Sequence, residues 1–330
     1  MKAIVMTAPG GPETLELREI AEPGIQLPSQ IKVRVRAAGV NPIDTKLRTR
    51  GVFYPDALPA VLGCDAAGEV VAVGRDVTRF VPGDHVWFCH GGLGADQGNY
   101  AEWNVLDERW AAKMPSGLDF TTAAAGPLVL ITAWGALFDR GRLLAGQQAL
   151  IHAGGGGVGH VAIQLAKWRG ATVHTTASSA QSQALAASCG ADSIINHASS
   201  DVVSEIQKLT AGHGVDLSLD TVGGDVFAES VRCTRHFGDL VTLLDAEPAA
   251  LQEARMRNLR IGFELMLTPM LRALDSARDH HIHILDQCAS LIHAGQLRLH
   301  VSHVLPLEAA AEAHRMIETQ RTTGKLVLSL

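Results

Sequence analysis

No CxxC pair occurs among the five cysteines, Cys64, Cys89, Cys189, Cys233 and Cys288. The odd number excludes a complete disulfide framework and predicts free thiols in a reducing cytoplasm. No uninterrupted apolar run reaches membrane-spanning length, so no membrane partner is expected. Basic charge is scarce as well: the formal net charge is -6, with no Lys/Arg stripe, which argues against nucleic acid as a partner. The opening MKAIVMTAPG starts as a strand and lacks the apolar core and small-residue cleavage site of a secretory leader. Repeats and low-complexity segments are missing too.

What is present is ordinary globular composition, 47% hydrophobic and 19% charged over 330 residues. That length suggests two domains, each large enough for a core. The first third reads as strands. In IKVRVRA, Val33, Val35 and Ala37 alternate with Lys32, Arg34 and Arg36, and AAGEVVAVG is a second extended run. The middle third changes rhythm. QQALIHAG reads as a buried strand and VGHVAIQLAKWRG as a helix with Val158, Val161, Ala162, Leu165 and Ala166 on one face. ATVHTTAS is a second strand, AQSQALAASCG a helix stopped at Gly190, and DSIINH, VDLSLDTVGG and DLVTLLD are further strand candidates. Strands alternating with helices predict a parallel, doubly wound sheet. The closing LRLHVSHVLP, LEAAAEAHRMIETQ and GKLVLSL lack that rhythm and are expected to return to the first domain.

AGGGGVG places Gly154, Gly156 and Gly159 in GxGxxG spacing between a strand and an amphipathic helix. Glycine at the turn permits positive φ, the next lets backbone approach a pyrophosphate, and the third packs the helix on the sheet. Gly156, Gly157 and Val158 are expected to face the pyrophosphate at the helix N-terminus. An NAD site carries an acid about 20 residues further on. Here that stretch reads Thr175-Thr176-Ala177, without a carboxylate. The absence favours NADPH, with NADH the lesser alternative. Ser178 and Ser179 are placed either to bond a 2′-phosphate or to cap the next helix. No Lys or Arg occurs from Gly170 through Gln207, so Arg321 is the expected counter-charge. Thr221 with Val222, and Leu243 with Leu244, lie at strand ends where such sheets bind ligands.

These residues resemble the medium-chain dehydrogenase/reductase superfamily, specifically its zinc-independent quinone oxidoreductase (zeta-crystallin-like) branch. The resemblance spans essentially the whole chain. It rests on GVNPIDTKLRTRG, YPDALPAVLGCDAAGEVVAVG, FVPGDHVW, LITAWGAL, AGGGGVG, DTVGG and the closing GKLVL. It implies an α/β protein: a doubly wound parallel-sheet Rossmann domain over 123–265, inserted in a β-rich GroES-like catalytic domain made of 1–122 and 266–330, with substrate entering between them. Two departures concern the cofactor. NADPH-binding relatives often have a Lys where this chain has Ser182, and a Tyr beside the adenosine phosphate where it has His197.

Zinc-dependent members of the superfamily hold their metal with a Cys in the first motif, a His-Glu pair in the second and a third ligand ahead of the TAW-like segment. The matching positions here are Asn41, Cys64-Asp65 and the neighbourhood of Leu128. That set cannot make a catalytic zinc site with three protein ligands. The structural four-cysteine lobe is missing, and His280, His281 and His283 in DHHIH have no acidic or cysteine partner at a zinc spacing. No metal is expected. Without a Lewis acid an alcohol is a poor hydride donor, whereas a quinone or an α,β-unsaturated carbonyl carries its own electron sink. The resemblance implies that Asn41 lines the nicotinamide or acceptor and that Thr132 and Lys325 contact the cofactor. Asp44 either orients that loop or caps its helix. Tyr54 either donates to a developing enolate or packs in its loop. The leading expectation is reduction of quinones by NADPH. The alternatives are an enone or enal reductase and a cofactor-binding structural protein. RNLRIGFELML is expected to supply an edge strand for a homodimer.

Overall fold

Period-two alternation needs one face of a strand to be covered, and Ile31, Val33, Val35 and Ala37 all turn inward. The structure is a computed structural model that describes residues 1–319 and 321–330. In chain order the first elements are β1 (Lys2–Met6), β2 (Leu15–Glu19), β3 (Gln30–Val40), α1 (Pro42–Arg50), β4 (Ala60–Val61) and β5 (Asp65–Val73). They are followed by β6 (His85–Cys89), β7 (Trp103–Asp107), β8 (Ala112–Lys113), α2 (Phe120–Ala124) and α3 (Pro127–Trp134). The alternating segment contains β9 (Gln148–Ile151), α4 (Gly159–Trp168), β10 (Thr172–Thr176), α5 (Ala180–Ser188), β11 (Ser193–Ile195) and α6 (Val202–Leu209). It continues through β12 (Val215–Asp220), α7 (Asp225–Cys233), β13 (Thr234–Thr242), α8 (Leu251–Met256) and β14 (Arg260–Phe263). The last part contains α9 (Thr268–Leu271), α10 (Asp275–His293), β15 (Val301–Pro306), α11 (Ala310–Glu318) and β16 (Lys325–Ser329).

The chain divides into two units. One comprises Met1–Leu128, Leu267–Gly295 and Leu299–Leu330, the other Val129–Met266 and Gln296–Arg298. The first unit runs past residue 122 because α2 packs on β3 and β5. Gln296–Arg298 leaves it because Arg298 exchanges hydrogen bonds with Gln164: its N–H donates to Oε1 at 2.8 Å and its carbonyl accepts from Nε2 at 2.9 Å. The strand in LRLHVSHVLP begins only at Val301.

In the first unit a sheet runs β15-β16-β3-β5-β6-β8, with β7 also on β3, beside a smaller sheet β2-β1-β4. The C-terminal strand β16 pairs antiparallel with β3, Leu326 opposite Val40. The closing segment therefore does return to the first domain. Ile31, Val33, Val70, Val86, Phe88, Leu106 and Trp110 form its core.

The second unit holds one sheet in the order β11-β10-β9-β12-β13-β14, every neighbouring pair parallel. The order reverses beside β9, which is the doubly wound dinucleotide-binding arrangement. Helices cover both faces of such a sheet, so its strands bury apolar side chains on both sides. Leu150, Ile195, Val202, Ile206 and Val215 pack in one cluster, and Phe227, Val231, Leu240 and Ala254 in another. The expected α/β class is thus realised. No helix of the described residues is long and apolar enough to cross a membrane.

Candidate active site

In the second unit, β9 delivers the chain to the glycine loop and α4 takes it away. The left-handed residue in that turn is Ala153, with φ 52°. This corrects the expectation that a glycine supplies the positive φ. An alanine in that region costs about 1 kcal/mol, and the surrounding hydrogen bonds hold it there. Ala153 N–H donates to Thr176 Oγ1 at 3.0 Å and Gly154 N–H to the Thr176 carbonyl at 2.9 Å. Thr221 Oγ1 donates to the His152 carbonyl at 2.9 Å. The glycines serve close approach instead. A Cβ on Gly154 would lie 2.1 Å from Thr175 Oγ1, and one on Gly159 2.2 Å from the Ala153 carbonyl oxygen. The loop therefore rests directly on β10 and on the first turn of α4.

The residues singled out in the sequence gather at the carboxyl ends of this sheet. Gly154, Gly156, Gly157, Val158 and Gly159 follow β9, Ser178 and Ser179 follow β10, and His197 follows β11. Thr221 and Val222 follow β12, and Leu243 and Leu244 follow β13. Open parallel sheets bind ligands at this edge, beside the strand-order reversal. The free N–H groups and positive end of α4 suit a pyrophosphate, so the loop fits a dinucleotide.

Just after β10 the capping role expected for one of the two serines is seen at Ser179. Ser179 caps α5, its Oγ accepting from Ser182 N–H at 3.1 Å, and Ser182 Oγ accepts from Ser179 N–H at 3.1 Å. Ser178 is exposed at the strand end, and no acid follows it before the helix. Sequence reasoning missed Asp220. Its Oδ1 accepts from Val222 and Gly223 N–H at 2.9 and 2.8 Å, and its Oδ2 from Thr242 Oγ1 at 2.9 Å. An Asp immediately before Thr-Val-Gly-Gly is the available signal for such a turn. His152, also missed, is buried there. Burial holds its imidazole neutral, down to about 4, and neighbouring His197 pushes the same way.

The first unit contains a knot of buried charge. Asn41, Asp44 and Asp65 are fully buried and Lys325 is 4% exposed. Asn41 Nδ2 donates to Asp65 Oδ2 at 2.9 Å, and Leu128 N–H donates to Asp65 Oδ1 at 2.8 Å. The Lys325 ammonium donates to the Val40 carbonyl at 3.1 Å and to Asn41 Oδ1, and lies 3.7 Å from Asp65 Oδ2. Asp44 Oδ2 accepts from Asn41 N–H at 2.8 Å and Tyr100 Oη at 3.0 Å, and Tyr100 Oη lies 3.3 Å from His314 Nε2. Burial alone raises the Asp65 carboxyl and lowers the Lys325 ammonium, and each partner opposes the shift of the other. With three donors around it, the carboxylate of the pair is the charged form we assign.

The side chains of Asn41, Asp44 and Lys325, expected to meet cofactor or acceptor, are thus turned inward onto one another. A buried carboxylate must be surrounded by donors; Asn41 and Lys325 supply them to Asp65, while Asp44 is itself an acceptor of the Asn41 N–H and the Tyr100 hydroxyl. Asp44 does cap α1, one of its two expected roles. Thr132 is buried in α3, and Arg321 is exposed. Tyr54 is 39% exposed, with Oη 3.4 Å from the Leu271 carbonyl, beside a small pocket lined by Gly91, Leu93, Asp96 and Met270. Tyr100 and His314 were not legible, because no periodicity or motif marks them.

Asp44 gives a pH prediction. Burial raises its carboxyl to about 7, against the bonds from Asn41 and Tyr100. From about pH 4 to about 7 the native state keeps a proton that the unfolded chain has released, so this group erodes stability as pH rises and levels off above. Asp44→Asn retains an acceptor and removes the charge. Relative to wild type, the variant gains about 2 kcal/mol between pH ~5 and ~8. Urea unfolding at the two pH values measures it, and parallel curves would refute the assignment.

Residues 27–116 match the family described as "Alcohol dehydrogenase GroES-like domain", and residues 189–328 match "Zinc-binding dehydrogenase". The zinc of that description does not fit these residues. Leu128 has no ligating side chain, Asn41 offers only an amide oxygen that already accepts from Lys325, the Cys64 thiol is held protonated by its hydrogen bond with Cys89 and by burial, and Lys325 lies against Asp65. No cluster of three His, Cys, Asp or Glu suited to a metal occurs among the described residues. The chain is 36% identical to a quinone oxidoreductase of Pseudomonas aeruginosa over 330 residues, covering 99% of both chains. It is 31% identical to a 2-haloacrylate reductase of a Burkholderia species, covering 99% of this chain and 98% of that one. The Escherichia coli quinone oxidoreductase solved in complex with NADPH superposes with a TM-score of 0.89 at 29% identity, all of both chains covered. Fold, motifs and full-length similarity together make this chain a member of the medium-chain dehydrogenase/reductase superfamily, in its quinone oxidoreductase branch.

Proposed function

We infer that this protein is an NADPH-dependent oxidoreductase that reduces quinones without a metal ion. The observation that carries the reading is the glycine loop at the switch point of a doubly wound sheet, followed by a second strand whose end has no acid. A carboxylate there would hold ribose hydroxyls and repel a 2′-phosphate; Ser178 does not. Gly154, Gly156, Gly157, Val158 and Gly159 hold the pyrophosphate, and Ser178, Ser179, His197 and Arg321 surround the adenosine phosphate. Thr132, Thr221, Val222, Leu243 and Leu244 line the rest of the cofactor. Bound there, NADPH supplies a hydride.

The chain's own residues position and protect. Asn41, Asp44 and Lys325 brace the interior of the first unit, and Tyr54 is the exposed proton donor for the reduced acceptor. Balance requires one hydride from NADPH and one proton, converting a quinone to its hydroquinone. An acceptor with its own electron sink needs no Lewis acid. Enone reduction is the second reading, favoured by the similarity to a 2-haloacrylate reductase. The hydride then goes to the β-carbon and the proton to the enolate.

We place the enzyme in the cytoplasm as a homodimer. β14 is the edge of its sheet, and Phe263 and Leu265 on it and just beyond are exposed. Steady-state NADPH oxidation against quinone and enone panels tests the proposal, on protein whose mass is read by sedimentation. Turnover is expected with quinones, unchanged by chelator, from a dimer. Turnover confined to enones selects the second reading, and no turnover with tight NADPH binding selects a structural role. Zinc-dependent oxidation of simple alcohols overturns both enzymatic readings, and a monomer at micromolar concentration removes the dimer.

A further inference from the structure

We propose that the Lys325 ammonium is the resident cation at the position where zinc-dependent members of this superfamily hold their metal, and that it positions Asn41 and Asp65 in the metal's stead. The motif positions matching the zinc ligands are Asn41, Cys64-Asp65 and the neighbourhood of Leu128. In the fold these come together. Asn41 Nδ2 and Leu128 N–H both reach the Asp65 carboxylate, one oxygen each. The cation comes from the far end of the chain. Lys325 opens β16, which pairs with β3, and this pairing carries the ammonium to the end of β3.

An ammonium has three N–H donors and no acceptor. Two are donated here, to the Val40 carbonyl and to Asn41 Oδ1, and the charge itself lies within ion-pair distance, 3.7 Å, of the Asp65 carboxylate. The consequence for Asn41 is geometric. Its amide oxygen faces Lys325 and its amide nitrogen faces Asp65, so the side chain has one orientation and cannot flip. One ion pair therefore fixes the ends of β3, β5 and β16 and the N-cap of α1. A divalent ion at the same place would meet a positive charge within ion-pair distance of Asp65, which makes the site exclude metal rather than merely lack ligands. This inference concerns charge and position. It stands whichever acceptor the enzyme reduces.

The tests combine metal content, stability and kinetics on the full chain. Wild type is expected to contain less than about 0.1 metal ion per chain after incubation with zinc; stoichiometric zinc overturns the proposal. Lys325→Met leaves Asp65 buried without its cation and is expected to lower the unfolding midpoint markedly and kcat at least about tenfold. Lys325→Met combined with Asp65→Asn removes the uncompensated charge. Its midpoint is expected to recover toward wild type while kcat stays low and the NADPH dissociation constant stays within about threefold. That split separates positioning from mere stability. Lys325→Arg, which keeps the charge, is expected to retain the midpoint better than Met. If Lys325→Met yields no folded protein, the double variant and Lys325→Ala supplemented with propylammonium take its place, and both are expected to fold. A Lys325→Met protein as stable and active as wild type, or a double variant no more stable than the single one, refutes the assignment.

Discussion

Alanine at Gly159 is expected to abolish measurable NADPH binding, raising the dissociation constant at least about 100-fold. The new Cβ would lie 2.2 Å from the Ala153 carbonyl oxygen and 2.8 Å from Gly154 Cα. Both neighbours are backbone, so no rotamer change relieves the clash. The turn cannot retreat easily, because Ala153 and Gly154 are bonded to Thr176. The first turn of α4 must therefore move away from the loop, which takes its N–H groups off the phosphates. A pyrophosphate held by several such charge-assisted bonds loses about 1.5–3 kcal/mol for each, and two lost bonds account for the factor. Fluorescence titration with NADPH checks this, with the spectrum of the free protein as control for folding. Binding within tenfold of wild type would show that the phosphates lie elsewhere.

Aspartate at Ser178 is expected to invert cofactor preference. Ser178 is exposed at the end of β10, on the stretch that meets the adenosine ribose in sheets of this order. A carboxylate about 5 Å from a 2′-phosphate costs about 2–3 kcal/mol at a partly solvated site, close to a 100-fold loss for NADPH. The same carboxylate accepts from the ribose hydroxyls of NADH, so that cofactor is expected to gain. The effect is expected to be large because the stretch from Gly170 through Gln207 carries no Lys or Arg of its own and the lysines flanking it are paired, Lys167 with Asp192 at 2.8 Å and Lys208 with Glu205 at 2.7 Å, which leaves Arg321 as the counter-charge proposed for the phosphate. Comparing kcat/KM for the two cofactors measures the inversion. A ratio unchanged by the substitution would place the adenosine ribose away from β10.

Much of the second unit was legible because local signals agree there. The glycine loop, the helix stop at Gly190 and the alternation of strand and helix all point to one sheet, and its strand order follows. The turn itself was misassigned. Motif spacing shows that small residues are needed but not which of them is left-handed, and Ala153 takes that place, held by the hydrogen bonds that it and Gly154 donate to Thr176. In the first unit, the strands of IKVRVRA and AAGEVVAVG followed from periodicity. The buried knot did not, because Asn41, Asp65, Tyr100, His314 and Lys325 are far apart in sequence and only strand pairing joins them. The motifs mark Asn41, Asp44 and Lys325, but the resemblance points Asn41 and Lys325 at ligands and gives no partner for Asp65, onto which both turn. Burial of Asp65 redirects them, since a carboxylate without water draws the nearest donors.

The pairing of β16 with β3 also governs the order in which the chain can be completed. Residues 37–40 of β3 pair with residues 326–329, so that end of β3 keeps an open edge until β16 is made. Residues 129–266 form a nearly contiguous sheet and can close as soon as they are made. A ribosome stalled short of Lys325 would therefore hold a finished second unit while the first still lacked β16. The carbonyls and amides of residues 37–40 would then be available to any passing strand, and the carboxylate of Asp65 would have no counter-ion until Lys325 arrives.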